Sequence, residues 1–143
     1  MRSRGLKVVL DTWIFLDLSE PSKALLNQAR LRNLEGLVST VTFAELYSLL
    51  YKRVNEKEIE RFRRSMERLN LRDVPVTRDI AEEGGRYKAK YGFSIADGII
   101  LATAVMEHAK ILVTGDPDFE RVMEVKVANP EEAMEALRSK GEG

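Results

Sequence analysis

The sequence contains no cysteine, only one histidine and one tryptophan, and no hydrophobic run long enough to cross a membrane. The absence of cysteine excludes disulfides, thiol catalysis and zinc–thiolate sites. The single histidine, His108, excludes catalysis by a pair of histidines. The basic N-terminal residues 1–5 lead into one short apolar run, which is neither a signal peptide nor a membrane span. We therefore expect a cytoplasmic protein that has no membrane partner.

An excess of charge of either sign is also missing, because 23 basic residues balance 23 acidic ones. This excludes a nucleic-acid module that attracts phosphates through its overall field, so that any such contact must use local patches or a metal. The 143 residues are 44% hydrophobic and 32% charged, which is typical of one globular domain. We expect a single domain over residues 1–143, with its core at about 6–128 and a C-terminal helix at about 130–139.

Short β-branched runs alternate with helical stretches along the whole chain. The pattern predicts strands at residues 6–10, 37–39, 73–76, 111–113 and 125–127. It predicts helices at residues 12–18, 21–34, 42–54, 56–69, 77–91, 95–109, 117–123 and 130–139, with Gly36 ending the second and Gly92 ending the fifth. This alternation indicates an α/β sandwich with a mostly parallel sheet, whose active site lies beyond the carboxyl ends of the strands.

Four acidic residues occupy positions that such a fold brings to one edge of the sheet. Asp11 directly follows the first strand, and Asp116 follows the strand at 111–113. Glu45 is predicted in the first turn of the helix after the second strand, and Asp97 in the first turn of the apolar helix at 95–109. These carboxylates are therefore candidates for one common site.

Each of the four acids also has a structural explanation as a helix cap. The capping patterns are Thr42 with Glu45, Ser94 with Asp97, Asp116 before Pro117, and Asp11 before the helix at 12–18. Together, however, carboxylates about 4 Å apart repel by about 4 kcal/mol per pair at an effective dielectric constant near 20. A helix N-terminus offsets only about 0.3–1 kcal/mol of this. A divalent cation would offset the rest, and ligands that are all oxygen favour magnesium or manganese.

Four segments in order along the chain resemble the successive motifs of PIN domains, and most of all those of VapC-type toxins. These segments are VLDT at 9–12, TFAEL at 42–46, SIADGIILATA at 94–104 and VTGDPDF at 113–119. The resemblance covers residues 6–128, nearly the whole chain. Trp13 and Gly98 depart from it, since a smaller or aliphatic residue and an alanine are expected there, but neither is a proposed ligand.

The resemblance implies a three-layer α/β/α sandwich and a metal-dependent endoribonuclease that cleaves single-stranded RNA. It implies that Asp11, Glu45, Asp97 and Asp116 form the catalytic cluster and bind one or two Mg²⁺ or Mn²⁺ ions. It also implies that the hydroxyls of Thr12, Ser94 and Thr114 orient these carboxylates. VapC-type proteins usually form homodimers and are neutralised by a small antitoxin whose tail covers the acidic pocket, so both partners are expected here.

Several neighbouring residues are candidates for supporting roles. Asp118 lies close to Asp116 in sequence and is either a further ligand or a solvated helix residue. Arg86, Lys88 and Lys90 precede the motif at 94–104 and are candidates for binding substrate phosphates. Trp13 either packs in the core or stacks on a base.

Two other functions within the same family stay open: a housekeeping nuclease of RNA processing, and a binding module without catalytic activity. A neighbouring antitoxin gene would separate the toxin from the housekeeping nuclease. Outside the family, a dehalogenase-like phosphatase would need a second acid where Trp13 stands, and a receiver domain does not account for the motif at 94–104. A phosphate-binding loop is excluded because no glycine-rich turn follows a strand.

Overall fold

Five parallel strands form the central sheet of the computed structural model, which describes residues 5–142. In chain order they are β1 (Leu6–Leu10), β2 (Leu34–Ser39), β3 (Arg72–Val74), β4 (Ile111–Val113) and β5 (Lys126–Ala128). Their order across the sheet is β3-β2-β1-β4-β5, so β1 lies at the centre between β2 and β4. The predicted α/β fold is confirmed, and the described sheet is parallel throughout.

Helices connect the strands and cover both faces of the sheet. They are α1 (Thr12–Leu16), α2 (Glu20–Arg30), α3 (Thr40–Arg53), α4 (Glu56–Glu67), α5 (Arg78–Tyr91), α6 (Ile95–Met106) and α7 (Pro130–Glu142), with a 3₁₀ helix at Pro117–Arg121. Within the described part of the chain no single helix is long and apolar enough to cross a membrane. Only α5 and α6 taken together reach that length, and they are bent by 117°.

The core consists of two apolar layers, one on each face of the sheet. Because side chains alternate along a strand, Val9 faces one layer, while Val8 and Leu10 face the other. The first layer contains the apolar residues of α5 and α6, and the second contains those of α1, α2 and α7. The three layers of the predicted sandwich are therefore present, and β1 is buried on both sides.

The predicted boundary between the second helix and the second strand was wrong. Gly36 does not end a helix but lies inside β2, and α2 already ends at Arg30. The helix ends there because Arg32 adopts a left-handed backbone with φ of 64°. Glycine at position 36 lets the Leu71 side chain approach the strand, since a Cβ there would lie 2.8 Å from its Cδ2 atom. Similarly, α6 ends three residues before its predicted end, and His108 after it has a φ of 58°.

Close contact between α5 and α6 fixes the helix that carries Asp97. A Cβ on Gly84 would lie 2.8 Å from the Cγ1 atom of Ile99 and 3.0 Å from its Cα, and a Cβ on Gly98 would lie 2.3 Å from the Gly84 carbonyl oxygen. Since two of these three atoms belong to the backbone, a rotamer change alone cannot make room. Small residues at 84 and 98 therefore set the distance between the two helices.

We predict opposite effects on stability for alanine at the two adjacent glycines of α5. Gly84→Ala should lower the free energy of unfolding by about 1–3 kcal/mol, because the new methyl group pushes α6 away. Gly85→Ala is the matched control: no atom lies within 4 Å of its Cβ position. This change should raise stability by about 0.5–1 kcal/mol through helix propensity. Denaturant titration measures both, and equal effects would contradict the packing described here.

Candidate active site

Four segments bring acidic residues to the carboxyl edge of the sheet. Asp11 directly follows β1, and its backbone N–H donates to the carbonyl of Val113 at the end of β4, at 3.0 Å. Asp116 lies three residues beyond Val113, and Asp97 is the third residue of α6. Glu45 lies in the second turn of α3 rather than the first, because α3 begins at Thr40, two residues earlier than predicted.

Asp11 is the most deeply buried carboxylate of the site, with 3% of its surface exposed. The hydroxyl of Thr114 donates to its Oδ2 atom at 2.7 Å and accepts from the backbone N–H of Asp116 at 3.0 Å. Burial raises the pKa of Asp11 to about 6, against the opposing effect of the Thr114 hydrogen bond, and the charge of Glu45 adds to the increase. Thr114 thus connects Asp11 to the segment that carries Asp116.

A pair of threonines holds Glu45. The Oγ1 atom of Thr12 lies 2.6 Å from Oε1 of Glu45 and 2.9 Å from Oγ1 of Thr42. Because a hydroxyl has one proton, Thr12 donates to the carboxylate and accepts from Thr42. Both threonines are buried. Glu45 is therefore fixed from the α1 side of the site.

The predicted capping box of Thr42 and Glu45 was wrong. The N-cap of α3 is Ser39, whose hydroxyl accepts from the backbone N–H of Val41 at 3.1 Å. Thr42 lies inside the helix and turns its side chain toward Thr12. Sequence analysis missed this role, because a threonine three residues before a glutamate matches a capping box in either case.

Three aspartates form the tightest part of the site. One carboxylate oxygen from each of Asp97, Asp116 and Asp118 lies within 4.8 Å of the other two. The predicted caps are present at this point: Ser94 accepts from the backbone N–H of Asp97 at 3.1 Å, and Asp116 accepts from that of Asp118 at 2.9 Å. Capping and clustering therefore occur together, and Asp118 belongs to the group.

The electrostatics show that all five carboxylates share one site. The pKa of Asp97 is raised to about 6, first by burial and then by the charges of Asp11, Asp116, Glu45 and Asp118. Like charges disfavour the ionised form, so the raised pKa of Asp97 reflects negative charge concentrated in the cluster. Hard oxygen ligands at this spacing fit a divalent cation such as Mg²⁺ or Mn²⁺.

Aromatic packing fastens the 3₁₀ helix to the turn between α5 and α6. Phe93 packs on Tyr91 and on Phe119, with ring centroids 5.1 Å apart in each pair. Arg121 lies over the rings of Tyr91 and Phe93, and its Nη2 atom donates to the Tyr91 carbonyl at 2.7 Å. This contact fixes Asp116 and Asp118 relative to α6. The sequence alone gave no indication of it, since the residues belong to different segments.

The three predicted phosphate-binding residues lie on α5, outside the acidic cluster. Arg86 is paired with Glu83 at 3.0 Å, and Lys90 is paired with Glu124 at 2.6 Å. Lys88 is exposed. The glutamates of both pairs are partly buried, and phosphate binding by the three basic residues stays a prediction.

Comparison with known proteins identifies a family and a fold. The model of the PIN domain family matches residues 8–125. A toxin–antitoxin complex from Klebsiella pneumoniae contains a similar chain, with 24% identity, a TM-score of 0.65, and coverage of 86% of this chain and 97% of that one. DNA-bound VapBC from Salmonella typhimurium gives 21% identity, a TM-score of 0.69, and coverage of 87% and 98%. VapC20 from Mycobacterium tuberculosis is described as a Sarcin-Ricin loop cleaving toxin. It gives 17% identity, a TM-score of 0.64, and coverage of 83% of this chain and 98% of that one.

At these identities the likeness to the solved structures shows the fold alone. No curated protein shows significant sequence similarity to the chain.

We predict that the metal-free protein becomes more stable as the pH falls from about 8 to about 5. The folded-state pKa values of Asp11 and Asp97 are about 6, above the ordinary value of 3.8, so the folded state binds protons more tightly than the unfolded state. Stability is therefore highest at the acidic end of this window and is lost as the pH rises through about 6.

Asp97→Asn removes one of the repelling charges. In EDTA at about pH 8 its melting temperature should exceed that of the wild type by roughly 2–4 °C. This corresponds to a gain of about 1 kcal/mol in the free energy of unfolding, a figure reduced because the half-exposed side chain is screened by solvent. The two proteins should converge near pH 5. Scanning calorimetry between about pH 5 and pH 8 gives the melting temperature of each protein. A constant difference between the two proteins across this range would contradict the repulsion between Asp97 and the other carboxylates.

Proposed function

The chain belongs to the PIN domain family, and from this premise we propose that it is a metal-dependent endoribonuclease that cleaves single-stranded RNA. The observation that supports the proposal is the meeting of Asp11, Glu45, Asp97, Asp116 and Asp118 at the carboxyl edge of the sheet. Parallel α/β sheets place their active sites at this edge. The proposed reaction is the hydrolysis of a phosphodiester bond.

Asp97, Asp116 and Asp118 would hold a Mg²⁺ or Mn²⁺ ion, because one oxygen of each lies within 4.8 Å of the others. Asp11 and Glu45 would complete the site, either on the same ion or on a second one. When bound, such a cation lowers the pKa of a water ligand and balances charge on the phosphate oxygens. The carboxylates alone would repel the phosphodiester, so substrate binding and cation binding are linked.

The hydroxyl groups around the cluster keep the carboxylates in place. Thr114 donates to Asp11, and Thr12 donates to Glu45. Ser94 caps α6 and thereby fixes the turn that carries Asp97. These contacts leave few rotamers to each carboxylate before a ligand arrives, which lowers the entropic cost of ordering the site.

We further propose that the chain is the toxin of a toxin–antitoxin pair and forms a homodimer. Support comes from similar chains solved in toxin–antitoxin complexes and from apolar surface on this chain. Leu16, Leu18 and Tyr51 have 52%, 78% and 63% of their surface exposed. A neighbouring gene for a small antitoxin would favour the toxin, and its absence would favour a nuclease of RNA processing. Residues 1–143 would then form one domain, closed by the packing of α7 on α2.

We predict that the purified protein cleaves single-stranded RNA with Mg²⁺ or Mn²⁺ and not with EDTA. Asp11→Asn and Asp97→Asn should each lower the rate by at least about 100-fold, the scale expected when a group that stabilises the transition state is lost. Asp79→Asn is the control, since this exposed aspartate lies on α5 outside the cluster. Gel analysis of a labelled RNA gives the rates. Full activity in Asp97→Asn, or in EDTA, would refute the assignment.

A further inference from the structure

Trp13, the only tryptophan of the chain, lies next to the acidic cluster. It follows Asp11 by two residues, in the first turn of α1. Its neighbour Thr12 donates to Glu45. The ring is therefore attached to the same segment that supplies one carboxylate and the hydroxyl that holds a second.

The benzene half of the indole rests on Gly115. A Cβ at Gly115 would lie 2.3 Å from Cζ2, 2.4 Å from Cη2 and 2.6 Å from Cε2 of Trp13. Gly115 stands between Thr114, which binds Asp11, and Asp116 of the aspartate group. Its φ is not in the left-handed region, so the close approach of the ring is what requires glycine here.

The indole is also accessible from outside. Trp13 is half-buried, with part of its side chain packed against the apolar layer of α1, α2 and α7. Within residues 5–142, its Nε1–H takes part in no hydrogen bond, and no buried side-chain polar atom lacks a partner. The N–H group therefore reaches solvent and can donate to a ligand. An indole that lies against Gly115 and keeps its N–H group in solvent differs from one that only fills the core.

We propose that Trp13 is a stacking platform for a nucleobase next to the phosphate that is cleaved, and that Gly115 supports the ring in this position. The inference rests on the proposed ribonuclease function. A phosphodiester bound at the aspartate group places its flanking bases within reach of a ring that lies against Gly115. Stacking between a base and an aromatic ring tolerates any base, so the platform sets the preference for unpaired, unstacked RNA rather than for one sequence.

The test measures RNA binding in an Asp97→Asn background, so that the RNA stays intact, and with Mn²⁺ in excess, so that the remaining carboxylates still hold the cation. The probes are a short fluorescein-labelled single-stranded RNA of mixed sequence and a ribose-phosphate chain of equal length without bases. Trp13→Leu should weaken RNA binding about 10-fold, and Trp13→Phe by no more than about 2-fold, because leucine keeps the apolar bulk and lacks the aromatic face. Phe62→Leu, which alters a partly exposed aromatic ring on α4 outside the cluster, should have no effect. Binding of the chain without bases should be equal in all variants.

The variant Gly115→Ala independently tests whether Gly115 positions the Trp13 ring. Its methyl group must displace the indole, so it should weaken RNA binding about as much as Trp13→Leu. In the Trp13→Leu background the same change should have no further effect, since the ring it would displace is gone. Additive losses in the double variant would overturn the role of Gly115. Melting temperatures of all variants show that they are folded.

The cleavage and binding measurements together distinguish a wrong role for Trp13 from a wrong nuclease function. If the wild type cleaves RNA and Trp13→Leu binds RNA as tightly as its parent, the platform is refuted and the nuclease stands. A loss in Trp13→Leu that is equal for the RNA and for the chain without bases also refutes stacking. If the wild type cleaves no RNA and the parent binds none, the proposed function fails, and this inference fails with it. Quenching of Trp13 fluorescence by the RNA, and not by the chain without bases, would support it.

Discussion

Repulsion among five carboxylates at one edge of the sheet is the constraint on which the rest of this structure depends. Asp97 experiences the charges of four other acids, and its pKa rises to about 6 as a result of burial and of those charges. A protein selected only for stability would remove such charges, because each adds to the cost of folding. Their presence at the point where α/β sheets bind ligands supports the proposal that they bind a cation and a phosphodiester.

The surrounding structure holds these charges close together through neutral groups. Hydroxyl groups of Thr12 and Thr114 bind the carboxylates, and the charges that act most strongly on Asp97 are those of other carboxylates. Small residues bring α5 and α6 into contact, and aromatic packing by Phe93 fastens the 3₁₀ helix beside them. Because these contacts are made by uncharged groups, they do not reduce the negative potential of the cluster, and that potential favours the binding of a cation.

The sequence was sufficient to predict the alternation of strands and helices and the positions of Asp11 and Asp116, because strand ends in a parallel sheet share one edge. It did not predict the packing between distant segments. Thr42 matched a capping pattern but binds Thr12 instead, and Gly36 matched a helix stop but allows Leu71 to approach β2. Both errors have the same origin, since the residue types were correct and the partner came from another segment. The contact of Trp13 with Gly115 was hidden for the same reason.

The most direct test of the account is the binding of Mn²⁺ to the metal-free protein, followed by the electron paramagnetic resonance signal of the free ion. The wild type should bind one or two ions at pH values above about 6, where Asp11 and Asp97 are ionised. Asp116→Asn should weaken the binding at least about 10-fold, since it removes a charged ligand from the group. Undetectable binding, or equal affinity in the variant, would contradict the claim that this cluster exists to hold a cation.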